Sequence, residues 1–100
     1  MEEQLRNIGE MENVLNRTND LIAEMELLLA KWTVNQQEFN TLLDYYGSEK
    51  WYKDREDDSA KMLPEELPRG VLGEDAVSDT FGNRKDILIK MIKLGVAGLE

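Results

Sequence analysis

The chain has 100 residues, 41% of them hydrophobic and 33% charged, with 21 acids against 12 bases and a net charge of −9. That is enough apolar material for one modest core, and the acidic balance excludes nonspecific binding to nucleic acid or to an anionic membrane, where phosphates demand Lys and Arg. With no Cys and no His, thiol chemistry, disulfides, most zinc sites and the usual general base near neutral pH are also excluded.

From Ile8 onward, positions spaced in alternating steps of three and four are apolar in ten of twelve cases: Ile8, Met11, Leu15, Thr18, Ile22, Met25, Leu29, Trp32, Gln36, Phe39, Leu43 and Tyr46, with Thr18 and Gln36 the two polar ones. This is a heptad seam. Leu5, Leu21, Leu28 and Leu42 widen it, and Glu10, Arg17, Asp20, Glu24 and Lys31 form the solvated face opposite. An unbroken helix over this region would be about 66 Å long, whereas a compact domain of this size has a radius of gyration of about 13 Å. A rod needs a partner along its length, most simply a second copy; a hairpin needs none. Thr33 and Gln36 have the spacing of a capping box, so a break near Trp32 is expected, with the heptad region (1–47) forming either one long helix or a helical hairpin.

Gly47 supplies the left-handed position that ends this segment, and Ser48 caps an acidic helix over 48–60. An ordered loop over 61–73 follows, LPEELPRGVLGED running from it into the next helix. Pro64 suits the start of a short turn and Pro68 its end. Gly70 is expected in a backbone conformation closed to other residues. Leu63 and Leu67 are expected to point inward, and Val71 and Leu72 to anchor the loop in the core. Gly73 serves as an N-cap, Glu74 and Asp75 complement the helix dipole, and Leu72 with Val77 forms a hydrophobic staple. Residues 74–98 are read as two helices, the first ending at Phe81 and Gly82, the second capped by Asn83. Leu88, Met91 and Ile92 are the expected buried side of the second. The fold class is therefore all-α, a single helical domain of a long N-terminal heptad helix or hairpin and short helices joined by an ordered Pro/Gly loop.

The block from Asp44 to Asp79 resembles a family of small bacterial proteins catalogued as domain of unknown function 4298. The match is carried by Tyr45, Tyr46, Ser48, Trp51, Asp54, Asp58, Leu63, Pro64, Leu67, Arg69, Gly70, Val71, Leu72, Glu74 and Asp75. Lys61 stands where the family tends to have Gly, Pro68 where it tends to have a basic residue, and Gly73 where it tends to have Ser. The resemblance implies an all-helical fold and a bacterial or phage source, and no activity.

The residues with most scope for function are Trp51, Asp54, Asp58, Arg69, Glu74 and Asp75. Arg69 sits between a proline and a glycine, and its planar guanidinium suits a bidentate carboxylate contact. The reading preferred here is a clamp to Asp54 or Asp58; recognition of an acidic ligand is the sharper alternative. Asp54, Asp57, Asp58, Glu74, Asp75 and Asp79 offer oxygen ligands for a divalent cation, but surface carboxylates paired with Arg55 and Arg69 explain them better, and no metal or cofactor is assigned. GVLGED lacks the lysine and spacing of a phosphate loop. Ser48, Ser59 and Ser78 have no histidine to activate them, so no catalytic residue is assigned. The N-terminal MEEQLRNIGEMEN lacks the basic and apolar regions of a signal peptide. The expectation is a non-enzymatic cytoplasmic protein acting through a protein partner or as a homo-oligomer, through the heptad helix or the apolar C-terminal helix, without nucleic acid or membrane. The alternatives are a secretion-associated helical hairpin of the WXG type and an immunity or antitoxin protein that blocks a basic partner.

Overall fold

The computed structural model describes residues 1–100 and contains helices and no strands. Helix α1 spans Glu2–Tyr45, α2 spans Glu49–Ser59 and α3 spans Glu74–Leu99, with a single 3-10 turn at Gly70–Leu72. The chain divides into two compact units, Met1–Asn40 and Thr41–Glu100. No helix is long and apolar enough to cross a membrane.

The heptad region is one helix, not a hairpin: α1 continues through the expected break at Trp32 for 44 residues. The hydroxyl of Thr33 donates to the carbonyl of Leu29, one turn back, at 2.8 Å, and the Gln36 amide donates to the Asn40 side chain at 2.9 Å. Both side chains are thus satisfied inside a helix, and neither is free to cap a new one. A capping box functions only where the backbone already leaves the helical region, and no Gly or Pro forces it to do so here. In the unit Met1–Asn40, Phe39 is the one buried residue; the apolar stripe from Leu5 to Leu29 is exposed along its whole length.

Thr41–Glu100 holds the turns that organise the rest. Gly47 takes the left-handed conformation, φ 81°, that ends α1. Ser48 then serves both helices. Its hydroxyl donates to the carbonyl of Tyr45 at 2.6 Å and accepts from the amide of Trp51 at 3.2 Å, so the last turn of α1 and the first of α2 share one side chain.

At the end of α2 the left-handed residue is Lys61, with φ 60°. Its amide bonds the carbonyl of Asp58, and the amide of Met62 bonds that of Asp57. This is the Schellman pattern, in which the residue just past the C-cap, here Lys61 after Ala60, is ordinarily glycine. The expectation placed on Gly70 is corrected: Gly47 is the one glycine with positive φ, and Gly70 opens the 3-10 turn instead. Pro64 closes a single turn by accepting the amide of Leu67 at 3.2 Å.

Gly73, extended at φ −76° and ψ 153°, is the N-cap of α3, and Glu74 and Asp75 occupy its first turn. Leu72 and Val77, the two staple positions, are buried with Trp51. Val71 is 36% exposed and is no core anchor; its carbonyl points inward to a partner described below. The expected division at Gly82 is also absent, α3 running unbroken to Leu99. A glycine inside a helix costs only about 1 kcal/mol against alanine, less than giving up the hydrogen bonds a break would sever. Leu88 and Met91 are half-buried, but Ile92, placed with them by the sequence, is 67% exposed.

Candidate functional site

The expected cluster forms around Trp51, which is only 4% exposed. Its indole N–H donates to the carbonyl of Val71 at 2.8 Å, joining α2 to the 3-10 turn. Burial of an indole calls for a partner to its one donor, and the turn supplies a backbone oxygen. The rings of Tyr46 and Tyr52 each lie 5.0 Å from that of Trp51 in edge-on contact. The guanidinium of Arg55, one turn along α2, stands 4.6 Å from the Trp51 ring centroid, a cation–π distance. From there Arg55 reaches Oε1 of Glu74 at 3.4 Å. Glu74 is held at both ends, since its backbone carbonyl accepts the hydroxyl of Tyr46.

A second set of contacts secures the loop. Arg69 pairs through Nη1 with Oδ1 of Asp58 at 3.2 Å, and its Nη2 donates to the carbonyl of Pro64. The clamp therefore closes on Asp58, not Asp54. Its Nε is buried without a hydrogen-bond partner. Asp54 is occupied by Tyr45, whose hydroxyl donates to Oδ2 at 2.6 Å. That hydrogen bond, then burial, then the nearby negative charge push the Tyr45 phenol up to about 12. The Lys53 ammonium is likewise raised, by its hydrogen bond to Asp57 at 3.1 Å and the charges of Asp57 and Glu56.

Two recesses flank these contacts. One, of about 350 Å³, lies among Tyr45, Asp54, Leu63, Leu67 and Leu72. The other, of about 230 Å³, is lined by Arg55, Asp58, Ser59 and Arg69. The carboxylates do not converge on either as a cation site, and nowhere do three acidic groups come close enough to hold a metal ion. Asp54 is turned to Tyr45, Asp57 to Lys53 and Asp58 to Arg69, while Asp75 remains exposed and joins none of these contacts.

Of the six residues singled out in the sequence, Trp51, Asp54, Asp58, Arg69 and Glu74 are thus brought into one network and Asp75 is left out. Sequence reasoning missed the roles of the Tyr45 and Tyr46 hydroxyls, although the pair of tyrosines directly before a helix-ending glycine marked the place. It also missed the Val71 carbonyl, because a backbone acceptor carries no residue-type signature.

What these contacts define is a small all-α protein in which a helical turn, a Pro/Gly loop and the start of α3 are fastened around a buried tryptophan. The chain belongs to the family described as domain of unknown function (DUF4298), which it matches over residues 8–94. No curated protein and no solved structure matches it. The motif residues of the resemblance are those that make the contacts: Tyr45 with Asp54, Tyr46 with Glu74, Trp51 with Val71, Asp58 with Arg69. The motif encodes a fastening.

Proposed function

We propose that the protein is a non-enzymatic interaction or regulatory module of the cytoplasm that works through exposed helical surface. One observation carries the reading: from Leu5 to Leu29 the apolar stripe of α1 is without cover, Leu21 being 61% and Leu28 55% exposed. Contiguous apolar surface of this extent on a folded protein marks a binding face. The carboxylates of Asp54, Asp57 and Asp58 are engaged in internal contacts with Tyr45, Lys53 and Arg69. The C-terminal half of α3, with Ile92, Leu94 and Val96 exposed among Lys90 and Lys93, offers a further surface of opposite charge to the acidic chain.

The test is purification of the tagged protein from its native cell beside a variant carrying Leu21→Glu and Leu28→Glu. Polypeptides retained by the wild type and lost by the variant, the untagged chain included, are expected. Identical retention by the two proteins would sink the reading.

A further inference from the structure

Resting on that reading, we infer that the occupant of the α1 stripe is a second copy of the chain, packed antiparallel about a two-fold axis near Leu21. The period of the stripe comes first. A straight α-helix drifts by about 20° per heptad from a strict seven-residue repeat. A stripe that keeps the repeat from Ile8 to Leu29 therefore follows a partner helix that supercoils with it. Written as a heptad, Ile8, Leu15, Ile22 and Leu29 are a positions and Met11, Thr18 and Met25 are d positions.

The flanking positions decide the direction. The g positions are Val14, Leu21 and Leu28, all apolar; the e positions are Glu12, Asn19 and Glu26, all polar. In a parallel pair each g faces an e of the other helix, which would set Leu21 against Glu26 and Val14 against Asn19. In an antiparallel pair g faces g. Centring the pair opposes Met11 to Leu29, Leu15 to Met25 and Thr18 to Ile22 of the second copy. Val14 then meets Leu28, and Leu21 meets itself. Apart from Thr18, apolar residues are matched along this face, in the self-complementary manner that a two-fold axis requires.

The one polar seam residue is already provided for. The Thr18 hydroxyl donates to the carbonyl of Val14 at 2.8 Å, so covering it strands no donor. The eight apolar side chains in these pairs are each roughly half exposed. Together they offer on the order of 800 Å² per copy, which is what a specific pair of standard size buries. On the e side the same arrangement sets Glu12 against Glu26 of the other copy, an unfavourable contact that makes the direction measurable.

Sedimentation velocity across the micromolar range is the first measurement: the wild type is expected to be a dimer and the Leu21→Glu, Leu28→Glu variant a monomer. Glu26→Lys converts two repulsive contacts into two attractive ones and is expected to tighten the dimer about tenfold. Adding Glu12→Lys restores repulsion between like charges and should return most of that gain. In a parallel pair neither residue faces a charge, so the double variant, with the smaller net charge, would dimerise at least as tightly as the single one; that result overturns the proposal. Because the chain has no cysteine, crosslinking gives an independent readout. A short thiol-to-thiol crosslinker is expected to join copies carrying Leu21→Cys and not copies carrying Leu15→Cys; the reverse overturns the antiparallel pairing. A wild type that stays monomeric while its stripe still captures another polypeptide overturns the second copy and leaves the interaction-module reading in place.

Discussion

The indole of Trp51 donates to the carbonyl of Val71, twenty residues along the chain, at 2.8 Å. This bond is the one polar contact between the buried tryptophan and the loop it fastens, and it can be removed without emptying the site. Trp51→Phe keeps an aromatic ring beside Tyr46 and Tyr52 but leaves the Val71 oxygen without its donor. A loss of about 1–3 kcal/mol is expected, and Trp51→Ala should cost about 3–5 kcal/mol, both read from urea midpoints. A Trp51→Phe variant with the urea midpoint of the wild type would show that the hydrogen bond contributes nothing beyond packing.

The clamp on Asp58 makes an ordered prediction. Asp58→Asn removes the charge partner of Arg69, whereas Arg69→Ala also removes the donor to the Pro64 carbonyl. Arg69→Ala is therefore expected to be the more damaging, by about 1–2 kcal/mol, since charge-assisted bonds to a loop carbonyl exceed a half-exposed ion pair. Thermal melts of both single variants and the double variant measure it. An additive cycle, with no coupling between the two positions, would remove the clamp.

Tyr45 gives the protein a signature at alkaline pH. Its phenol is pushed up to about 12 from an ordinary value of 10.0 by the hydrogen bond to Asp54. The folded state thus holds this proton where the unfolded chain releases it. The contribution is fully present below pH 10.0 and is lost as the pH rises towards 12. Tyr45→Phe should flatten the fall in stability over that window relative to the wild type. Asp54→Asn should bring one phenol in the ultraviolet titration back towards its ordinary value. An unchanged titration curve in Asp54→Asn would contradict the assignment.

Much of this arrangement was legible in the sequence because it rests on local signals. The apolar repeat gave helix in the N-terminal region, though not its continuity past Trp32, and Gly47 with Ser48 gave the corner, since helix ends need a left-handed residue and an acceptor for orphan amides. The Arg69 clamp could be foreseen as a carboxylate contact, but not its partner, because choosing Asp58 over Asp54 depends on where the Tyr45 hydroxyl falls. Thr33 and Gln36 misled for a related reason: their spacing is that of a cap, and a threonine inside a helix can satisfy itself on the carbonyl of Leu29. Spacing shows what a residue is able to do, and the backbone around it decides which option it takes.

Lys61 is the clearest misfit between residue type and backbone. It holds the left-handed position of the Schellman motif at φ 60°, where a side chain costs roughly 1–2 kcal/mol. Lys61→Gly is expected to stabilise the protein by up to about 1 kcal/mol, part of the relief being returned as chain entropy, and to raise the melting temperature by several degrees. A lower melting temperature would show that the lysine side chain contributes contacts outweighing the strain.

Gly82 is the converse case and separates the two readings of the C-terminal region by sign. If it ended a helix in the left-handed conformation, as its place between Phe81 and Asn83 suggested, Gly82→Ala would destabilise the protein. In the continuous helix α3 its φ is not positive, and a methyl group added there meets nothing within 4 Å. Alanine then removes backbone freedom from the unfolded chain and adds helix propensity, for a gain of about 0.5–1 kcal/mol. A urea midpoint shifted upward with an unchanged slope is the expected result. A downward shift would restore the break, and with it two short helices in place of one.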